Sequence, residues 1–142
     1  MEKRGAGFFL TWFALLMAAD ALISYLRNCR THYFASFGID RRIVALLLAG
    51  IILQIILLVF SVRKFRVIGD VISMALPAVY IAALVAFLSA RLTEIAFIFT
   101  FENNAANMAD LQSALAGIAF CVLAAASSLI AAWFDIRKDV EA

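Results

Sequence analysis

The sequence predicts an all-α integral membrane protein, a bundle of four transmembrane helices in antiparallel up-down order forming one domain over residues 1–142. Three observations carry this. Of the 142 residues, 66% are hydrophobic and 15% charged, whereas a soluble domain carries roughly 45–50% apolar and about 25% charged residues. With a mean hydropathy of +1.02, the chain lacks the polar surface that a water-soluble globule needs. Four apolar stretches, at 5–26, 43–62, 67–90 and 110–134, hold 22, 20, 24 and 25 residues, and about 20 helical residues cross a hydrocarbon core of roughly 30 Å. Their apolarity is unbroken rather than alternating, which excludes a membrane barrel. A backbone that must satisfy its own hydrogen bonds in lipid is then helical.

The first stretch follows Met1-Glu2-Lys3-Arg4 and contains Ala19-Asp20-Ala21, an outline shared with a cleavable signal peptide. The apolar run continues through Leu22, Ile23, Tyr25 and Leu26, so it is read as a full span. Asp20 is the one charge well inside a span and lies about 9 Å from its end. A carboxylate at mid-membrane costs roughly 2.5–3.5 kcal/mol, so Asp20 should face the bundle interior, be paired or be protonated. Ser24 and Arg27 follow on the same face as expected partners. A structural tie near the headgroups and a proton or ion site are the two readings. In the second stretch Gln54 sits centrally with Gly50 one turn before it. An amide needs a partner there and a glycine lets another backbone approach, so this face should meet a neighbouring helix or line a polar cavity.

The turn Arg63-Lys64-Phe65-Arg66 makes the second and third spans a tight hairpin. It is read as a topology determinant, with lipid-headgroup recognition as the alternative. In the third span Asp70, Ser73, Pro77 and Tyr80 recur at intervals of three, four and three, a polar stripe on one face. Asp20, Gln54, Asp70, Ser73 and Tyr80 together are the candidate intramembrane polar site, although Asp70 and Asp20 belong near opposite ends. Ala78, Ala82, Ala86 and Ala90 on the third span, and Ser113, Gly117, Cys121, Ala125, Ser128 and Ala132 on the fourth, place small residues nearly every turn. These are helix-packing surfaces, within the chain or toward a partner.

Residues 27–42 and 91–109 are expected as loops on one side, which places Arg91 outside the spans. Both loops are aromatic, with Tyr33, Phe34 and Phe37 in the first and Phe97, Phe99 and Phe101 in the second. Ile95–Phe101 is read as an extension of the third helix, an interfacial segment or a docking surface. Asn107 with Asp110 resembles a helix start. Lys3, Arg4, Arg63, Lys64, Arg66, Arg137 and Lys138 on one side outnumber Arg27, Arg30, Arg41, Arg42 and Arg91 on the other. The positive-inside rule then puts both termini in the cytoplasm, most simply across the cell membrane.

A net charge of +2 with dispersed basic residues gives no reason to expect a nucleic-acid partner. Cys29 in the first loop and Cys121 near mid-span cannot meet, and no activating cation is evident beside either. His32 is alone in its loop, so neither haem, zinc nor any other cofactor or metal is expected.

In length and in its one acidic residue within the first span, Asp20, the chain resembles the small multidrug-resistance exporters. That resemblance implies a dimer whose membrane-embedded carboxylate binds protons and cationic drugs. The acid here is an aspartate late in the helix, the residues around it depart from that pattern, and the loops are longer. The leading expectation is therefore a non-enzymatic accessory or scaffolding subunit that packs against a larger, transport-type membrane complex or its own copies, with the lipid bilayer as its surroundings. A homodimeric proton-coupled transporter using Asp20 is the alternative. A membrane enzyme comes third, because no convergent acid, base or nucleophile is visible.

Overall fold

A computed structural model of the chain describes residues 5–61 and 66–134. The tails expected in the cytoplasm and all but Arg66 of the Arg63–Arg66 turn lie outside these residues. The described chain is all-helical: α1 spans Ala6–Asn28, α2 Arg41–Ser61, α3 Arg66–Thr100 and α4 Ala105–Ala131, with a short 3-10 turn at Ala35–Phe37. All four helices are long and apolar enough to cross a membrane.

Local chemistry sets the helix ends. Gly5 in extended conformation precedes α1. The Asp40 carboxylate accepts the Arg42 N–H at 2.9 Å at the start of α2, satisfying one of the donors a helix leaves orphaned. Gly38, at φ +70°, closes the 3-10 turn in the left-handed conformation that glycine adopts freely. Asn104 caps α4 by accepting the Asn107 N–H at 2.8 Å. The helix start read at Asn107 and Asp110 therefore lies earlier, because the asparagine at 104 is already a competent cap. At the other junction α3 does not stop at residue 90. It continues to Thr100, taking the Ile95–Phe101 segment with it, so the α3–α4 connection shrinks to residues 101–104. With 35 residues the helix is about 52 Å long.

The helices pack as neighbours in the order α1–α2–α3–α4, and α4 returns to lie most extensively against α1. Three core layers fill the interior. At the end where α1 leads to α2 and α3 to α4, hereafter the connection end, Phe34 packs with Ile95, Ile98, Leu111 and Ala114. Below it Tyr25, Ile43, Leu47, Ala83, Phe87 and Cys121 form the central layer. Ala18, Leu57, Leu76, Tyr80, Ala124 and Ala125 form the third.

The buried face of α4 is almost entirely small, including Ala114, Gly117, Cys121, Ala124, Ala125, Ser127 and Ser128. Small side chains let backbones come close, the main route to contact where no hydrophobic effect separates helix from surroundings. A Cβ built on Gly117 would lie 2.7 Å from Phe87 Cε1. The small residues of α3 divide differently: Ala78 and Ala82 point outward, and Ala86 and Ala90 are half-buried. The outside of the bundle is as apolar as the inside, with Leu16, Ile23, Ile52, Val59, Met74, Val85, Val122 and Leu129 all exposed. Helices apolar on every side are not built to face water.

Candidate functional site

Two polar nodes sit inside the bundle. The first lies at the level of the third core layer and joins three helices. Gln54 of α2 is 1% exposed and its Nε2 donates to the Thr11 carbonyl of α1 at 2.9 Å. The Tyr80 hydroxyl of α3 donates to Gln54 Oε1. Thr11 uses its own hydroxyl on the Gly7 carbonyl at 2.7 Å, and Ser128 of α4 donates to the Ala125 carbonyl at 3.0 Å. Gly50 makes the arrangement possible, since its missing side chain leaves the space into which the Tyr80 ring fits. Beside the node Thr11, Gln54, Ser73 and Ser128 line a crevice of about 10 Å³ with Leu57, Leu76, Ala131 and Ala132. That volume is at the lower limit for a single water molecule.

Of the five residues expected to form a polar site, the structure brings Gln54 and Tyr80 into direct contact and places Ser73 at the adjoining crevice. Asp70 is exposed and stands apart. Asp20 is half-buried and makes no hydrogen bond or ion pair among the described residues. The ties expected to Ser24 and Arg27 are not formed: Arg27 is exposed and Ser24 lies toward Gly117 of α4. The packing residues Gly117, Cys121 and Ala125 are buried and Ser113 is half-buried, all toward the interior.

The second node is at the connection end and centres on Arg91, which sequence reasoning left in a loop. Because α3 continues, Arg91 follows Phe87 and precedes Ile95 and Ile98 on the buried face. It is 3% exposed. Its Nε donates to Asn28 Oδ1 at 3.1 Å and its Nη2 to Cys29 Sγ at 3.3 Å. The guanidinium carbon lies 4.8 Å from the Phe34 ring centre and 5.8 Å from that of Tyr25, within the range of cation–π attraction. A cation does therefore stand beside Cys29, contrary to the sequence reading, and both cysteines are free and buried.

Asn28 passes the network on to α4, donating to Ser113 Oγ at 2.8 Å and to the Asp110 carbonyl at 3.3 Å. The first loop is pinned over the node. Tyr33 N–H donates to Asp110 Oδ2 at 3.0 Å, Tyr33 hydroxyl to Glu94 Oε2 at 3.1 Å, and Asp40 N–H to the Tyr25 hydroxyl at 2.8 Å. Partial burial raises the Tyr33 phenol above its ordinary value of 10.0, and the hydrogen bond to the Glu94 carboxylate adds to the effect.

The signal that could have found Arg91 is the spacing of Phe87, Arg91, Ile95 and Ile98 at four, four and three, which carries the buried face of α3 through the charge. Among the described residues no three His, Cys, Asp or Glu side chains cluster closely enough to hold a metal ion. Chemically, the mid-bundle node is a set of amide, hydroxyl and carbonyl groups hydrogen-bonded to one another, and the upper node is a buried cation held by an amide, a sulfur and two rings. The class these features define is an all-helical protein with four helices suited to crossing a membrane and two internal polar ties. No family model, curated protein or solved structure matches the chain.

Proposed function

We propose that the chain inserts in the cell membrane as an antiparallel four-span bundle with both termini cytoplasmic. There it serves as a non-catalytic subunit that docks on a larger membrane protein or on its own copies. Aromatic residues at both ends support insertion: Phe9, Trp12, Trp133 and Phe134 are exposed toward one end and Phe37, Phe97, Phe99 and Phe101 toward the other, as interfacial belts are.

The observation that carries the subunit reading is the outward side of α3. Ala78, Ala82 and Ser89 are exposed there beside Ile81 and Val85, and Leu92 and Phe99 continue it as an exposed apolar edge. A helix of about 52 Å exceeds a core of roughly 30 Å, so part of this edge rises beyond the hydrocarbon, where a partner surface would bury it. The mid-bundle node supports the same reading, because Gln54 and Tyr80 are occupied with each other and with the Thr11 carbonyl beside a crevice of about 10 Å³. Light scattering in mild detergent tests it. Wild type should travel as a complex larger than one chain, and Ala82→Phe should dissociate it while Ile55→Phe, exposed on α2, should not. A lone monomer from unbiased purification overturns the proposal.

Asp20 favours the second reading, a homodimeric proton-coupled transporter, because its carboxylate is inside a span without a partner among the described residues. That reading requires Asp20→Asn to abolish pH-dependent ligand binding while assembly persists. The subunit reading requires binding to be absent from wild type as well.

A further inference from the structure

Arg91 is a permanent charge taken almost wholly out of water, and burying a guanidinium is costly unless an anion accompanies it. No carboxylate oxygen lies within 4.0 Å of it among the described residues. Two acidic residues of this end have other bonds: Glu94 accepts from the Tyr33 hydroxyl and Asp110 from the Tyr33 N–H. The groups that hold Arg91 are the Asn28 amide, the Cys29 sulfur and two aromatic rings. These contacts fix the plane of the guanidinium and use Nε and Nη2. Among the described residues Nη1 has no hydrogen-bond partner, and the side chain keeps 3% of its surface exposed. The side chain thus presents one charged nitrogen edge from a rigid seat, the form in which Arg recognises oxyanions with little ordering cost.

We propose that Arg91 anchors a binding site for one phosphate group at the connection end of the bundle. Phosphate suits the site because its oxygens match the planar, charged edge of a guanidinium. Arg27 and Arg30, both exposed, adjoin the Asn28-Cys29 pair along the chain, and the Glu94 and Asp110 carboxylates at the same end are held by Tyr33. The phosphate has two sources, a lipid headgroup or a free phosphate, and the chemistry at Nη1 is the same for both. Only the lipid source rests on the membrane-inserted reading above.

The test uses the full chain in an uncharged maltoside micelle and follows thermal unfolding. The probes are inorganic phosphate against chloride at matched ionic strength, and short-chain phosphatidylglycerol against the diacylglycerol that lacks its phosphate. A phosphate-bearing probe at about a hundredfold its Kd should raise Tm by about 5 °C or more. A response to the lipid alone assigns the headgroup, a response to inorganic phosphate alone assigns the free ion, and a response to both assigns phosphate as such.

Arg91→Gln should remove the response. If that variant fails to fold, Arg91→Lys, which keeps the charge and loses the fork, should weaken binding at least tenfold, with Arg41→Gln as the unaffected control. No rise with either phosphate probe in wild type overturns the proposal. An equal rise in Arg91→Gln, or a rise matched by acetate, overturns it too. A monomer that still binds phosphate would refute the subunit reading and leave this site standing.

Discussion

Gly50→Ala isolates the contact on which the mid-bundle node depends. A Cβ at position 50 would sit 2.5 Å from Tyr80 Cε1 and 3.1 Å from Cδ1 and Cζ. To regain ordinary contact at 3.4 Å the ring must retreat by about 1 Å. Tyr80 cannot yield cheaply, because it is buried in the third core layer and its hydroxyl is committed to Gln54. Overpacking of this kind costs about 1–3 kcal/mol. A weakened interhelical hydrogen bond adds about 0.6 kcal/mol, and the better helix propensity of alanine returns at most about 1 kcal/mol. The net expectation is a loss of about 2 kcal/mol.

Gly69→Ala is the internal control, since among the described residues its Cβ would meet only Leu57 Cδ1 at 3.8 Å, and it should leave stability unchanged or raise it by up to about 1 kcal/mol. Both are measured by reversible unfolding in mixed maltoside and dodecyl sulfate micelles, with helicity followed by circular dichroism. If Gly50→Ala is as stable as Gly69→Ala, Tyr80 is not clamped between α2 and α3 and the description of the node is wrong.

Tyr80→Phe removes the donor to Gln54 Oε1 and should cost roughly 0.6–1.7 kcal/mol in the same unfolding measurement. A double-mutant cycle with Gln54→Leu should return a coupling of similar size, and no coupling would count against the bond. Gly117→Ala brings a Cβ within 2.7 and 2.9 Å of the Phe87 ring and should destabilise by about 1–3 kcal/mol, with Phe87→Leu restoring part of the loss. The raised Tyr33 phenol keeps its stabilising bond to Glu94 intact below pH 10 and loses it as pH climbs through the elevated folded-state value. The Tyr33 ring-carbon NMR shift, assigned by difference against Tyr33→Phe, should show this titration, and Glu94→Gln should bring it back toward 10. Identical titrations in the two proteins would refute the assignment.

The four helices were readable because continuous apolarity over about 20 residues has one physical solution in lipid. Gln54 and Gly50 were readable as a helix-contact face for a related reason: an amide among aliphatic side chains has to find a donor and an acceptor. The ends of α3 and α4 were less legible. Charge and polarity at Arg91, Thr93 and Glu94 look like a loop, yet the alternation of faces places Arg91 and Ile95 inside and Leu92 and Thr93 outside, so the helix runs on. Asn28 was invisible for a different reason. Its amide matters only because α4 brings Ser113 and α3 brings Arg91 to it, residues 85 and 63 positions away. Asp20 shows the converse, since its sequence neighbours suggested partners on α1 that the fold directs elsewhere.

The Thr11–Gln54–Tyr80 chain draws on three helices, and from α1 it takes a main-chain oxygen rather than a side chain. When the first two helices have come together, the Gln54 amide nitrogen already has its acceptor while its oxygen still waits for a hydroxyl. The hairpin therefore carries an open polar debt at mid-depth that α3 discharges only at the correct height, since sliding by one turn would carry the tyrosine about 5.4 Å away. The tie thus sets the height of α3 against α1 and α2, and a misaligned third helix leaves the Gln54 oxygen without its donor.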